Sequence, residues 1–98
     1  MFVRIIKSYR DVVAVCDSEL LGKRFEEDQL QLDVKENFYK GKETSPKQTI
    51  RIMQDMFKED ATFNIVGEES TQTAIEAGII AEENIGRIQG IPFAFILI

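Results

Sequence analysis

Residues 61–80, ATFNIVGEESTQTAIEAGII, decide the fold. An apolar run over residues 63–66 ends in Gly67, Glu68 opens a helical stretch, and Gly78 stops it. This order predicts a strand, a tight turn and a helix whose N-terminus stands just beyond the strand end. Such a terminus carries unpaired N–H groups and a partial positive charge, which suit an anion. Gly67, Glu68, Glu69 and Ser70 are therefore a candidate site for a small anion or a nucleotide phosphate. The competing reading is structural. Glu68 and Glu69 place carboxylates in the first helical turn, where they complement the dipole themselves and repel phosphate.

Toward the C-terminus, residues 81–84 read as a polar connection and residues 85–89 as another strand. Gly90-Ile91-Pro92 reads as a bend, because Gly permits unusual dihedrals and Pro cannot donate to a ladder. Residues 93–98, FAFILI, have no polar residue on either face. They predict a strand in the middle of the sheet, covered on both sides.

Toward the N-terminus, Ser45-Pro46-Lys47-Gln48 is a helix start: Ser45 caps, Pro46 suits the first helical position and Gln48 completes a capping box. Ile50, Met53 and Phe57, widened by Ile52 and Met56, form its apolar stripe as far as Lys58 or Glu59. Residues 36–44 read as a loop anchored by Phe38 and Tyr39. Residues 29–34 alternate strictly, with Leu30, Leu32 and Val34 on one face of a half-buried strand. Glu26-Glu27-Asp28 before it reads as an acidic turn. Its spacing is not that of a calcium loop, so a solvated turn is the favoured reading over a loosely held cation. Asp17-Ser18-Glu19-Leu20-Leu21-Gly22 holds a cap and a stopping glycine and predicts one short helical turn. Residues 2–6 and 12–16, joined by a polar turn, predict an N-terminal antiparallel hairpin whose second strand is buried on both faces.

Ninety-eight residues make one domain, with 44% apolar and 30% charged content typical of soluble globular chains. No apolar run approaches the roughly 20 residues of a membrane helix. The first residues lack the pattern of a secretory signal, so a cytoplasmic protein is expected. The net charge of −5 is unevenly spread. Residues 1–58 hold 11 basic and 10 acidic side chains, a net of +1; residues 59–98 hold Arg87 and seven acids, a net of −6. A polyanion would meet the first half, which carries Arg4, Lys7, Arg10, Lys23, Arg24, Lys40, Lys42, Lys47 and Arg51. The alternative is solvated surface with interspersed signs.

The chain has no histidine. That removes Cys-His and Ser-His dyads, imidazole metal ligands and the usual proton shuttle near neutral pH. The single cysteine, Cys16, ends an apolar run and reads as a small packed hydrophobe. It excludes an internal disulfide and a multi-cysteine metal cluster. Neither phosphate-binding glycine fingerprint occurs. Phe38 and Tyr39 are candidate base-stacking residues, weighed against service as core plugs.

Four stretches resemble a small archaeal family of uncharacterised conserved proteins, one of the numbered domains of unknown function. They are Cys16-Asp17-Ser18-Glu19-Leu20-Leu21-Gly22-Lys23-Arg24-Phe25, Glu36-Asn37-Phe38-Tyr39-Lys40-Gly41, Asn64-Ile65-Val66-Gly67-Glu68 and Gly90-Ile91-Pro92, in that order along nearly the whole chain. Where the family often has a second Gly before the bend and a His after the Pro, this chain has Gln89 and Phe93. The resemblance implies an archaeal source and a compact α+β domain, and brings no activity, cofactor or catalytic residue with it.

The expected fold is α+β: one small domain over residues 1–98, a mixed β-sheet with two main helices and an N-terminal β-hairpin. The expected function is a non-enzymatic binding module associated with RNA or a ribonucleoprotein, with Lys23, Arg24, Phe38, Tyr39, Lys40 and Lys42 as nucleic-acid candidates. The alternatives are a protein–protein module or homodimer, built on the apolar C-terminal strand, and an anion or nucleotide binder at residues 67–70. No cofactor, metal site, catalytic residue or membrane contact is expected.

Overall fold

The structure, a computed structural model, describes residues 1–97. The predicted hairpin is present: β1 (Phe2–Ile6) pairs antiparallel with β2 (Val12–Cys16), Phe2 opposite Cys16 and Ile6 opposite Val12. A 3₁₀ turn (Ser18–Leu20) follows, then a second hairpin of β3 (Arg24–Glu27) and β4 (Leu30–Asp33). Next come a one-turn helix α1 (Glu36–Tyr39), the two-residue strand β5 (Lys42–Glu43) and helix α2 (Pro46–Lys58). Strand β6 (Thr62–Val66) leads through Gly67 into α3 (Glu68–Glu76). A 3₁₀ turn (Glu82–Asn84) and the hairpin of β7 (Gly86–Ile88) and β8 (Ile91–Ile96) complete the chain.

Six strands form one sheet in the order β5-β1-β2-β6-β8-β7, while β3 and β4 form a separate ribbon. Only β2 and β6 run parallel within the described sheet. The chain between them contains α2, as a parallel crossover requires. The fold is therefore α+β with a mixed sheet, two main helices and an N-terminal hairpin. No helix among the described residues is long and apolar enough to cross a membrane.

Alternation along β2 and β6 feeds two cores. Val13, Val15, Phe63 and Ile65 point to one face, where Met53 of α2 and Ala74 of α3 meet them. Ala14, Cys16 and Val66 point to the other, under Leu20, Leu32, Val34 and Tyr39. The central strands are apolar on both sides because both sides are covered.

Several expectations need correction. The acidic stretch Glu26-Glu27 stands on β3, and the turn is tightened instead at Asp28, whose φ is 56°. β3 was hidden because three of its four residues are exposed and charged, so no alternation marks it. Leu30 is 56% exposed at the hairpin tip, while Leu32 and Val34 are buried as expected. The loop over residues 36–44 contains α1 and β5. Phe57, placed on the apolar stripe of α2, is 44% exposed.

The expected bend at Gly90-Ile91-Pro92 is shifted. The turn is Gln89-Gly90, both with positive φ (52° and 77°), which matches the twist of a two-residue hairpin. Pro92 stands inside β8, just before the ladder to β6 begins at Phe93. Its carbonyl accepts the Gly67 N–H at 2.8 Å. The C-terminal strand lies inside the sheet, between β6 and β7, but it is not covered throughout: Phe95 is 49% and Leu97 80% exposed. Ile98, the last residue of that expected strand, lies outside the described residues.

Candidate functional site

The β6–α3 junction has the predicted strand–glycine–helix form, and the anion at its helix terminus is the chain's own. Asp17, at the end of β2, is buried. Its Oδ2 accepts the Glu69 N–H at 3.1 Å, and its Oδ1 accepts the Ser70 N–H at 2.8 Å and the Ser70 hydroxyl at 2.7 Å. The parallel pairing of β2 with β6, Cys16 opposite Val66, brings Asp17 to this position. Gly67 leaves the space for it. Its φ is 113°, and a Cβ there would lie 2.2 Å from the Asp17 carboxyl carbon. The candidate anion set of Gly67, Glu68, Glu69 and Ser70 thus already holds a carboxylate, with a desolvated partner on two of its N–H groups. Glu68 faces outward and pairs with Arg87 at 3.1 Å.

The nucleic-acid candidates separate into three groups. Tyr39 is corrected: it is 5% exposed, its ring belongs to the second core, and it offers no face to a base. Burial first, and the Cys16 beside it second, push its hydroxyl up to about 12. Phe38 is half-buried and sits edge-on to Tyr39, ring centroids 5.0 Å apart, so both rings anchor α1. At the N-terminal end of α1, Lys23 is exposed, its carbonyl bonded to the Val34 N–H at 2.9 Å. Its neighbour Arg24 is paired with Glu26 at 2.7 Å. At the C-terminal end, Lys40 and Lys42 are exposed on either side of Gly41. Gly41 is required there because its α-carbon runs against the β1 backbone: a Cβ would meet the Val3 carbonyl oxygen at 2.2 Å.

That close approach puts β5 on the sheet edge, Lys42 opposite Val3, next to the start of α2. Lys42 and Arg51 line one groove of about 340 Å³ with Thr44, Gln48, Ile52 and Asp55. Lys47 and Arg51 line a second of about 480 Å³ with Gln48, Ile50 and Gln54. Four exposed cations, Lys40, Lys42, Lys47 and Arg51, therefore gather around the β5 edge and the first half of α2. None makes an ion pair among the described residues. Two acids stand in the same region, Asp55 in the groove and Glu43, whose carboxylate accepts the Ser18 hydroxyl at 3.1 Å. Lys47 and Arg51 were visible in sequence only as members of a basic half. The signal that places them together is their i, i+4 spacing on the polar face of a helix with a strong start.

Another cleft, of about 620 Å³, lies elsewhere, between the β1–β2 turn and the end of α2. Asp11, Asp55, Glu59 and Asp60 line it with Lys7 and Arg10, a mixed and acid-rich wall. Among the described residues no group of three or more His, Cys, Asp or Glu side chains is arranged to hold a metal. Cys16 is buried, and desolvation, with the Asp17 charge second, pushes its thiol up to about 11. A protonated, enclosed thiol is a poor nucleophile.

Fold and surface together define a small α+β protein with a two-sided mixed sheet and a basic edge. The chain belongs to the family described as protein of unknown function DUF424, whose model matches residues 6–98. It is similar to an uncharacterised conserved protein from the archaeon Methanopyrus kandleri whose crystal structure is known. The two share 27% identity and a TM-score of 0.86, over 98% of this chain and 90% of that one. No curated protein matches the chain.

Proposed function

We propose that this protein is a non-enzymatic binding module of the archaeal cytoplasm whose ligand is RNA, alone or in a ribonucleoprotein. The observation that carries this reading is the gathering of Lys40, Lys42, Lys47 and Arg51 at the β5 edge, free of ion pairs among the described residues, on a chain whose net charge is −5. Against that background an exposed basic strip is a local attraction for phosphates, and binding to it releases counterions. Lys23 extends the strip past α1. The aromatic pair contributes rigidity and not stacking, so the ligand is held by its backbone and sequence preference is weak.

The test is fluorescence anisotropy with single-stranded and structured RNA across a salt series. The wild-type chain binds with an affinity that falls steeply with salt. Replacing Lys42, Lys47 and Arg51 by Gln lowers the log–log salt slope by about 2, since each phosphate contact contributes roughly 0.7 with single strands. Absence of salt-sensitive binding at tens of micromolar rules the reading out.

A further inference from the structure

Two of the grooves meet along α2. The one of about 340 Å³ has Lys42 and Arg51 on its walls and reaches Asp55. The cleft of about 620 Å³ also has Asp55 on its wall and reaches the β1–β2 turn, where Lys7, Tyr9 and Arg10 line it. The helix residues that line the two, Gln48, Arg51, Ile52, Asp55, Met56 and Glu59, recur at steps of three and four. They form one face of a helix that is thirteen residues and about 20 Å long. The grooves are therefore one track, and its character changes along its length. Cations stand at the β5 end, and Asp55, Glu59 and Asp60 stand toward the turn.

Tyr9 closes the far end. It is fully exposed, so its ring packs into neither core. An isolated exposed aromatic needs no explanation. This one lines the cleft beside Met56, and the turn that carries it is braced. The Asp11 carboxylate pairs with Lys7 at 3.2 Å and accepts the Ser8 N–H at 3.4 Å. The Asp11 carbonyl accepts the Thr62 N–H at 2.9 Å, which fastens the turn to β6. A tyrosine has few torsions to immobilise, and a braced turn leaves little else to order on binding.

We infer that this track holds a single RNA strand, its phosphates on Lys42 and Arg51 and an unpaired base stacked on Tyr9. The inference rests on the RNA reading above and names the kind of RNA. A charged groove that follows the backbone, joined to an exposed aromatic face, is how unpaired strands are held. A duplex keeps its bases stacked inside, so along its length it has no face to give Tyr9. The acids impose the same polarity. They repel phosphates from the far end, while carboxylates accept hydrogen bonds from base amino groups. The strand therefore turns its backbone toward the β5 end and its bases toward the β1–β2 turn. Phe38 and Tyr39 lose the stacking role to a residue that sequence places only in a polar turn.

The chain has two tyrosines and no tryptophan, so Tyr9→Trp puts a single indole at the end of the track. The probes are an unstructured RNA strand of about twelve nucleotides and the duplex it forms with its complement. The strand quenches the indole emission at saturation, and the duplex leaves it unchanged. In anisotropy titrations the wild-type chain binds the strand more tightly than the duplex. Tyr9→Ala weakens strand binding about fivefold or more. It leaves the log–log salt slope at the wild-type value, because no phosphate contact is lost. Tyr9→Phe keeps wild-type affinity. Tyr9 is fully exposed, so the melting temperature of Tyr9→Ala stays at the wild-type value. Tighter binding of the duplex, an unquenched indole, or Tyr9→Ala binding like the wild type overturns this inference and leaves the RNA reading standing. Absence of salt-sensitive binding to both probes overturns the two together.

Discussion

Asp17 ties three parts of the chain together with one carboxylate. It ends β2, it caps α3, and it fills the space left by the missing side chain of Gly67. Its three donors are two backbone N–H groups and the Ser70 hydroxyl, and Ser70 is itself fully buried. Removing the carboxylate leaves these donors unsatisfied in a place water does not readily reach. Asp17→Ala is therefore expected to cost roughly 2–4 kcal/mol, more than an exposed cap, because the lost hydrogen bonds are buried and charge-assisted. Urea denaturation measures it, and Ser70→Ala, which loses only the hydroxyl contact, costs less. This role was not legible locally. Asp17 reads as a cap for the residues that follow it, yet it makes no side-chain cap to that 3₁₀ turn. Its partners lie 52 and 53 positions away, and only the parallel β2–β6 register brings them near.

Elements with strong local signals form where sequence places them. In α2 the Ser45 hydroxyl oxygen accepts the Gln48 N–H at 3.2 Å, and the Gln48 side chain accepts the Ser45 N–H at 3.1 Å. Both halves of the capping box are present, with Pro46 at the first position. Thr49 closes the same turn from inside, its hydroxyl 2.6 Å from that of Thr44 and donating to the Ser45 carbonyl at 2.8 Å. Ser45→Ala is expected to lower stability by about 1 kcal/mol, the usual worth of an N-cap. Because α2 carries Lys47 and Arg51, its first turn also positions the basic edge. An RNA titration of Ser45→Ala at a temperature where the domain is folded checks this: affinity falls only slightly if α2 is held by Met53 and its neighbours in the core. β3 shows the opposite case. Glu27 accepts the Gln89 N–H at 2.8 Å and the Glu26 carbonyl accepts the Gln89 side chain at 2.6 Å. The acidic stretch is thus a strand fastened to the β7–β8 turn, an arrangement that polarity along the sequence does not encode.

At the scale of the molecule, one sheet separates two cores of unequal cover. The helix side is closed by α2 and α3, and the other side by α1 and a short ribbon that leaves Phe95 and Leu97 exposed. The second core contains two acidic groups held protonated by burial: Cys16, raised from 9.0 to about 11, and Tyr39, raised from 10.0 to about 12. For both, the folded state keeps its proton after the unfolded chain has lost it. Their contribution is complete below the unfolded values and is lost as pH rises through the folded ones. Thermal melts should therefore fall as pH rises from about 9 toward 11 through Cys16, and from about 10 toward 12 through Tyr39. Cys16→Ala removes the first part of the fall. The sequence by itself determined the elements with local codes: the N-terminal hairpin, the capped α2, the strand–Gly67–α3 junction and the two-sided burial of β2. It also determined the chemistry that histidine and cysteine would have supplied and do not. Only the tertiary structure decided what occupies the α3 terminus, that Tyr39 is core, that Lys42 joins Arg51, and that β8 ends uncovered. These depend on contacts between residues far apart in sequence, set by strand order and register, and alternation or spacing along a chain carries no record of which strand lies next to which.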